Sequence, residues 1–185
     1  MLYEPFKARA VAVGAEVHRF ETKQDALDFI LPFLEKEGLA NTPGSYAVWA
    51  DCPFLEGVDK NALARQAPGL SFEVTRSLSS QALFGISQME WAVADTGSLV
   101  QNQAGAEQRL VSSLTGIHIA LIASSNIVAS KAPLFEKINP QTSRYIAFIT
   151  GPSRTADIER VLTIGVHGPQ RLIIIFVDEL GGEKQ

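Results

Sequence analysis

The residues best suited to chemistry gather late in the chain. An apolar run, Ile146-Ala-Phe-Ile-Thr150, meets the polar stretch Gly151-Pro-Ser-Arg-Thr-Ala-Asp-Ile-Glu159, and Gly165-Val-His-Gly-Pro169 then leads into a second apolar run ending at Val177. Gly151 and Pro152 end the first run, one by permitting unusual backbone angles and the other by removing a ladder donor. Ser153 or Thr155 can cap a short helix beginning there. Asp157 and Glu159 would lie in its first turn, where each offsets the helix dipole by roughly 0.3–1 kcal/mol. Arg154 beside free helix amides would make an anion site for carboxylate or phosphate. The plain alternative is a capped helix whose Arg154 pairs with a neighbouring carboxylate. His167, in the turn after the helix, is a candidate proton carrier, with an ordinary pKa of about 6.5.

Two further groups stand earlier. Ala94-Asp-Thr-Gly-Ser98 shares Asp-Thr-Gly with aspartic proteases, but a single domain of that type must dimerise and needs a different, β-rich surround. A tight turn explains it more simply, with Gly97 at positive φ and Asp95 and Thr96 organising the backbone. His118 sits in an apolar strand, which suggests a core histidine satisfied by a backbone partner. It shares its side with Gly116 and Ala120, small residues that leave space. His18, His118 and His167 lack the close spacing of zinc ligands, so no metal site is expected. Neither Gly-x-Gly-x-x-Gly nor a phosphate-loop motif occurs, and nothing suggests a nucleophile elbow.

The positioning elements follow from periodicity. Residues Arg9 to Phe20 alternate and predict a half-buried strand at the start of the chain. Thr22-Lys-Gln-Asp25 reads as a capping box before a helix through Ala26, Phe29, Ile30, Phe33 and Leu34, which Pro32 should kink or end and Gly38 should terminate. Further strands are expected over 45–50, 70–75, 89–95, 98–101 and 116–123, and helices over 59–66, 79–84, 103–114 and 131–138. Leu172 to Val177 is continuously apolar, as in the centre of a parallel sheet. The sum is an α/β, three-layer domain on a mostly parallel sheet, residues 1–180, with a flexible tail over 181–185. The polar loop after Thr150 would then lie at the carboxyl edge of the sheet, where open α/β sheets bind ligands.

Composition narrows the class. With 46% hydrophobic and 19% charged residues, the chain is an ordinary globular one. Residues 1–102 carry 8 basic and 13 acidic side chains, and residues 103–185 carry 8 and 7. That balance suits a small anionic ligand near the motifs and argues against non-specific nucleic-acid binding. Cys52 is the single cysteine; it can form no internal disulfide and hold no iron–sulfur cluster, which usually takes about four. As a strand-end thiol it reads as packing rather than as a nucleophile. No apolar segment approaches the roughly 18–20 residues of a membrane span, and no signal-peptide pattern opens the chain, so a cytoplasmic location is expected.

Three ordered elements also resemble one family. Gly151-Pro-Ser-Arg-Thr-Ala-Asp-Ile-Glu159 with Gly165-Val-His-Gly-Pro169, Ala94-Asp-Thr-Gly-Ser98, and Arg109-Leu110 followed by Ile117-His-Ile-Ala120 are similar to signatures of the lactate-utilisation protein C family, the LUD-domain proteins. The first 85 residues match only loosely, and the additional N-terminal helix of many relatives is not expected here. The resemblance implies a fold like that of glucosamine-phosphate deaminases, ribose-phosphate isomerases and coenzyme A transferases. It also implies a part in oxidising lactate to pyruvate beside two iron–sulfur partner proteins, with the clusters in the partners and no cofactor in this chain. Arg154 and Arg109 would contact the anion, and Ser153, Thr155 and Thr96 would donate hydrogen bonds. Asp95, Gly97, Ser98, His118 and Gly151 would complete the ligand site, with Asp157, Glu159 or His167 moving protons. Two alternatives stay open. One is a free-standing enzyme of the sugar-phosphate isomerase or acyl-coenzyme A transferase type, with Glu159 or Asp157 as base or nucleophile; the other is a non-catalytic ligand-sensing domain.

Overall fold

A computed structural model describes residues 2–156, 162–164 and 168–181. From the amino end the chain forms α1 (Tyr3–Ala12), β1 (Glu16–Phe20), α2 (Lys23–Lys36), β2 (Tyr46–Trp49), α3 (Lys60–Gln66), β3 (Leu70–Ser71), α4 (Arg76–Ser80) and β4 (Ala82–Gln88). There follow β5 (Trp91–Val93), β6 (Ser98–Gln101), α5 (Ala106–Leu114), β7 (Ile117–Ala123), β8 (Ile127–Val128) and α6 (Lys131–Lys137). The last strands are β9 (Ala147–Ile149), β10 (Arg154–Ala156), β11 (Leu162–Ile164) and β12 (Arg171–Val177). Single 3-10 turns occur at Pro53–Leu55 and Glu179–Gly181. No helix among the described residues is long and apolar enough to cross a membrane.

Six strands form a parallel sheet in the order β1-β12-β7-β4-β2-β3. The continuously apolar β12 lies between β1 and β7, which accounts for its burial on both faces. Successive side chains on each strand point to opposite faces, so two cores result. On one face Ile119, Leu121, Ile173 and Ile175 meet Ala26, Ile30 and Leu34 of α2. On the other, Ala120, Ile122, Leu172, Ile174 and Phe176 meet Phe6 and Ala10 of α1 and Met89, Ala92 and Leu99 of a second sheet. That sheet has the order β8-β5-β6-β9, with β6 antiparallel to both β5 and β9. The three-layer α/β reading therefore holds, with a small mixed sheet filling part of one outer layer.

Local signals resolved well where one interaction dominates. The capping box at α2 is present, with Thr22 accepting from the Asp25 amide and the Asp25 carboxylate accepting from the Thr22 amide. Pro32 does not end the helix, which runs unbroken to Lys36 because its apolar face stays docked on the sheet. The expected opening strand is corrected most. Residues up to Ala12 are helical, since Phe6 and Ala10, one turn apart, are both fully buried while Val11 is exposed; only Glu16–Phe20 pair as a strand. The chain thus opens with a helix. The helix expected over 79–84 is α4, ending at Ser80; Phe84 belongs to β4, held between β2 and β7. The strand expected over 70–75 stops at Ser71, and Thr75 instead caps α4 by accepting from the Leu78 amide at 3.2 Å.

The helix expected to begin at Ser153 or Thr155 is not formed there. Arg154–Ala156 is a strand paired antiparallel with Leu162–Ile164. Among the described residues no helix begins at Ser153 or Thr155. The apolar run before it, β9, is an edge strand of the second sheet and not part of the parallel one.

Candidate functional site

A cavity of about 280 Å³ lies where the 148–153 segment crosses the start of β7 and β12. His118 is the second residue of β7, and Leu172, its register partner, is the second of β12. The cavity therefore opens at the amino ends of the parallel strands. The expectation that the polar loop lies at their carboxyl edge is corrected, because the strand leading into it belongs to the other sheet. Ser112 and Ser113 of α5, Phe148 to Ser153, Gly168 and Pro169 complete the lining. The Ser153 amide donates to the Pro169 carbonyl at 2.8 Å, tying the two loops together across the cavity mouth. Among its described lining residues none carries a charge.

His118 is the chemically distinctive group. It is fully buried, and its Nε2 lies 2.8 Å from the Ser87 hydroxyl on the neighbouring strand β4. Its Nδ1 is buried and has no hydrogen-bond partner among the described residues. Burial pushes the imidazole down to about 4, so it is neutral near pH 7. An unpartnered buried nitrogen costs about 1–3 kcal/mol, which a ligand atom or water in the cavity would recover. The partner expected for His118 was backbone; the structure supplies a serine side chain instead.

A run of hydroxyls starts at another lining residue. Thr150, a lining residue, lies 2.7 Å from Ser98, and Ser98 donates to Thr96 at 2.9 Å. Two sequence elements far apart in the chain, the Ala94–Ser98 turn and the Thr150–Ser153 loop, thus meet through side chains. Ser98 and Thr96 stand behind the cavity rather than in its wall.

The two motif glycines have a packing role that the sequence did not reveal. Gly97 has φ 65° and Gly151 φ 69°, the left-handed region. A Cβ at Gly97 would sit 2.4 Å from the Ala10 amide nitrogen, and one at Gly151 would sit 2.4 Å from the Val13 carbonyl oxygen. The carboxyl end of α1 is pressed into both turns. Arg154 joins the same contact: its guanidinium donates to the Val13 carbonyl while the side chain stays exposed.

The remaining candidates divide. Ser153, Gly151 and His118 line the cavity. Asp95 begins the turn, with its amide bonded to the Ala129 carbonyl at 3.1 Å. Arg109 stacks on Tyr145 with its guanidinium carbon 4.7 Å from the ring centre, so neither arginine expected to contact an anion is among the described lining residues. Thr155 lies in β10. Asp157, Glu159 and His167 fall outside the described residues. Sequence reasoning missed Ser87, Ser112, Ser113, Thr150 and Gly168. Ser87 was hidden because residues 85–88 were assigned to no element, although the alternation Phe84, Ile86 marks a strand with Ser87 on the His118 side.

A family model described as the LUD domain matches residues 3–177. Lactate utilization protein C from a Geobacillus species is 36% identical over 107 residues, covering 55% of this chain and 44% of that protein. Its namesake from an Exiguobacterium species is 33% identical over 114 residues, covering 58% and 50%. The uncharacterized protein YkgG of Escherichia coli is 29% identical over 109 residues, covering 56% and 47%. The matched part spans about half the length of these curated relatives. A crystal structure of a DUF162 family protein from Deinococcus radiodurans has a TM-score of 0.60 at 18% identity, covering 95% of this chain and 96% of that one, and shows the same fold.

Proposed function

Because the chain belongs to the LUD-domain family, we propose that it works in lactate utilisation, as a protein C-like component in the oxidation of lactate to pyruvate beside iron–sulfur partner proteins. The observation that carries this reading is its similarity to two proteins named Lactate utilization protein C. A single cysteine, Cys52, is buried, and burial pushes its thiol up. One inert thiol suits a subunit whose redox centres lie in its partners. The ligand site in this reading is the cavity lined by His118, Thr150 and Ser153.

Deleting the gene in its own host should abolish growth on lactate as sole carbon source, and a plasmid copy should restore it. The tagged chain should then co-purify with cluster-bearing proteins, and lactate oxidation should need all of them. Unimpaired growth of the deletion strain on lactate would overturn the reading. Turnover of a sugar phosphate or a coenzyme A thioester by the purified chain alone would replace it with a free-standing enzyme.

A further inference from the structure

We propose that the open edge of β9 is a docking site for an acidic, extended segment of a partner protein, which adds to the second sheet as a further strand and sets its carboxylates on Lys131 and Arg144. The inference goes beyond the functional reading and does not depend on it: it names a surface, a binding mode and the chemistry of what binds.

β9 is the outer strand of its sheet. It pairs with β6 and has no neighbour on its other side among the described residues. No backbone bond outside that ladder engages residues 144–150 among the described residues. Such an edge offers N–H and C=O groups in the pattern that another strand matches. The row Trp91, Val100, Phe148 runs across the sheet on its α6 side, where Trp91 and Val100 pack with Leu134. At the outer end of that row Phe148 and Phe135 are 38% and 45% exposed, with ring centres 6.4 Å apart. Ala147 and Ile149 alternate to the other side, and Ile149 packs on the core shared with α1.

Charge decides what can pair there. Residues 129–149 carry three basic side chains, Lys131, Lys137 and Arg144, and one acidic, Glu136, on a chain whose net charge is −4. Lys131 Nζ lies 5.2 Å from the centre of the Phe148 ring and Lys137 Nζ 5.1 Å from that of Trp91, so both stand on the α6 side of the sheet. Arg144 is exposed just before the strand. None of the three has a carboxylate partner among the described residues. An antiparallel second copy centred on Phe148 would bring Lys131 toward its own counterpart, and like charges facing each other oppose the pairing. A nucleic acid would meet the cations but leave the strand edge unmatched. An acidic segment that alternates in residue type satisfies both. Its carboxylates fall on the side of Phe148 and Lys131, and the intervening apolar residues continue the row from Leu99 through Ile149.

Fluorescence anisotropy of labelled octapeptides, titrated with the full chain at low salt, tests this. A peptide alternating Glu and Val should bind at least about tenfold more tightly than one alternating Lys and Val, and than one with the same Glu and Val residues in two blocks. N-methylation of all the Glu amides or of all the Val amides should abolish binding in one case and leave it within about threefold in the other, because a docked strand shows one edge to β9. Lys131→Glu with Arg144→Glu, both at exposed positions, should weaken the Glu–Val peptide at least about tenfold and strengthen the Lys–Val one. Equal binding of the two alternating peptides, or N-methylated series that both bind or both fail, would overturn the inference. A dimer of the chain alone that the charge reversal dissociates would give the edge to a second copy instead. Tighter binding of an oligothymidylate than of the Glu–Val peptide would give the patch to single-stranded nucleic acid. A deletion strain that grows on lactate would overturn the functional reading and leave this surface standing.

Discussion

The two faces of the six-stranded sheet are built from the same strands and are composed differently. Toward α2, β4 presents Phe84 and Ile86, and β7 presents Ile117, Ile119 and Leu121, all packed into one apolar core. Toward α1 and the second sheet the intervening positions are Gly85, Ser87, His118, Ala120 and Ile122. One face is side-chain volume throughout. On the other, β4 and the start of β7 are small or polar, β7 becomes apolar at Ala120 and Ile122, and β12 is apolar from Leu172 onward; the cavity lies beside His118 at the start of β7. Strands buried on both sides need not be apolar on both sides; here one side is filled with apolar volume and the other borders a cavity.

The contrast is open to mutation. Ile119→Ala on the α2 face should cost about 2–5 kcal/mol, as large-to-small changes at fully buried sites do. Urea unfolding of the variant beside the unaltered chain checks it. A loss under about 1 kcal/mol would show that this face is not the principal support.

Acid should act through the opposite face. His118 titrates at about 4 in the fold and at about 6.5 when unfolded. Between those values the unfolded chain binds more protons, so the contribution is full above about pH 6.5 and is lost as pH falls toward 4, by on the order of 3 kcal/mol. His118→Phe should flatten that part of the stability profile relative to the unaltered chain. Parallel profiles from pH 7 to 4 would mean that His118 takes up its proton as readily in the fold as in the unfolded chain.

Gly151→Ala should cost about 2 kcal/mol, from a left-handed backbone and from the Val13 carbonyl 2.4 Å from the new methyl carbon. It should also weaken lactate binding, because Thr150, Gly151 and Ser153 share the cavity wall. Gly38→Ala, with φ 99° and open space around it, supplies the comparison: the same kind of backbone strain without the clash or the binding loss. Matching effects from the two substitutions would deny Gly151 any special contact with α1.

What was legible in the sequence follows the same division. Local signals sufficed for α2, whose cap and apolar face lie close together in the chain, and for β7 and β12, whose largely apolar runs need no partner to be recognised. The opening helix was misread because Val11, Val13, Ala15 and Val17 alternate across a helix end and a strand start, while the burial of Phe6 and Ala10 depends on Phe176, far along the chain. Arg154–Ala156 was misread because capping residues fit a helix start, and pairing with Leu162–Ile164 is invisible to local propensity. In the site, His118 and Ser153 were legible by residue type. Ser87 and Thr150 were not, since their meaning comes from neighbours 31 and 52 residues away.

Arg154 gives the smallest expected effect and the sharpest separation of binding from support. Its residue type and its place in the polar loop suggested an anion contact, yet the guanidinium bonds a backbone carbonyl at the end of α1 and is not among the described cavity-lining residues. Exposed hydrogen bonds of this kind contribute about 0.5–1.5 kcal/mol. Arg154→Ala should therefore lower the unfolding free energy by no more than that, and Arg154→Lys should recover part of it by reaching the same carbonyl. Lactate affinity should change less than about twofold in both, because the loop is held independently by the Ser153–Pro169 backbone bond and the packing of Gly151 on Val13. A tenfold loss of lactate binding in Arg154→Ala with unchanged stability would turn the argument round. The arginine would then leave the α1 carbonyl to meet the carboxylate, and the wall that looks like support would be part of the site.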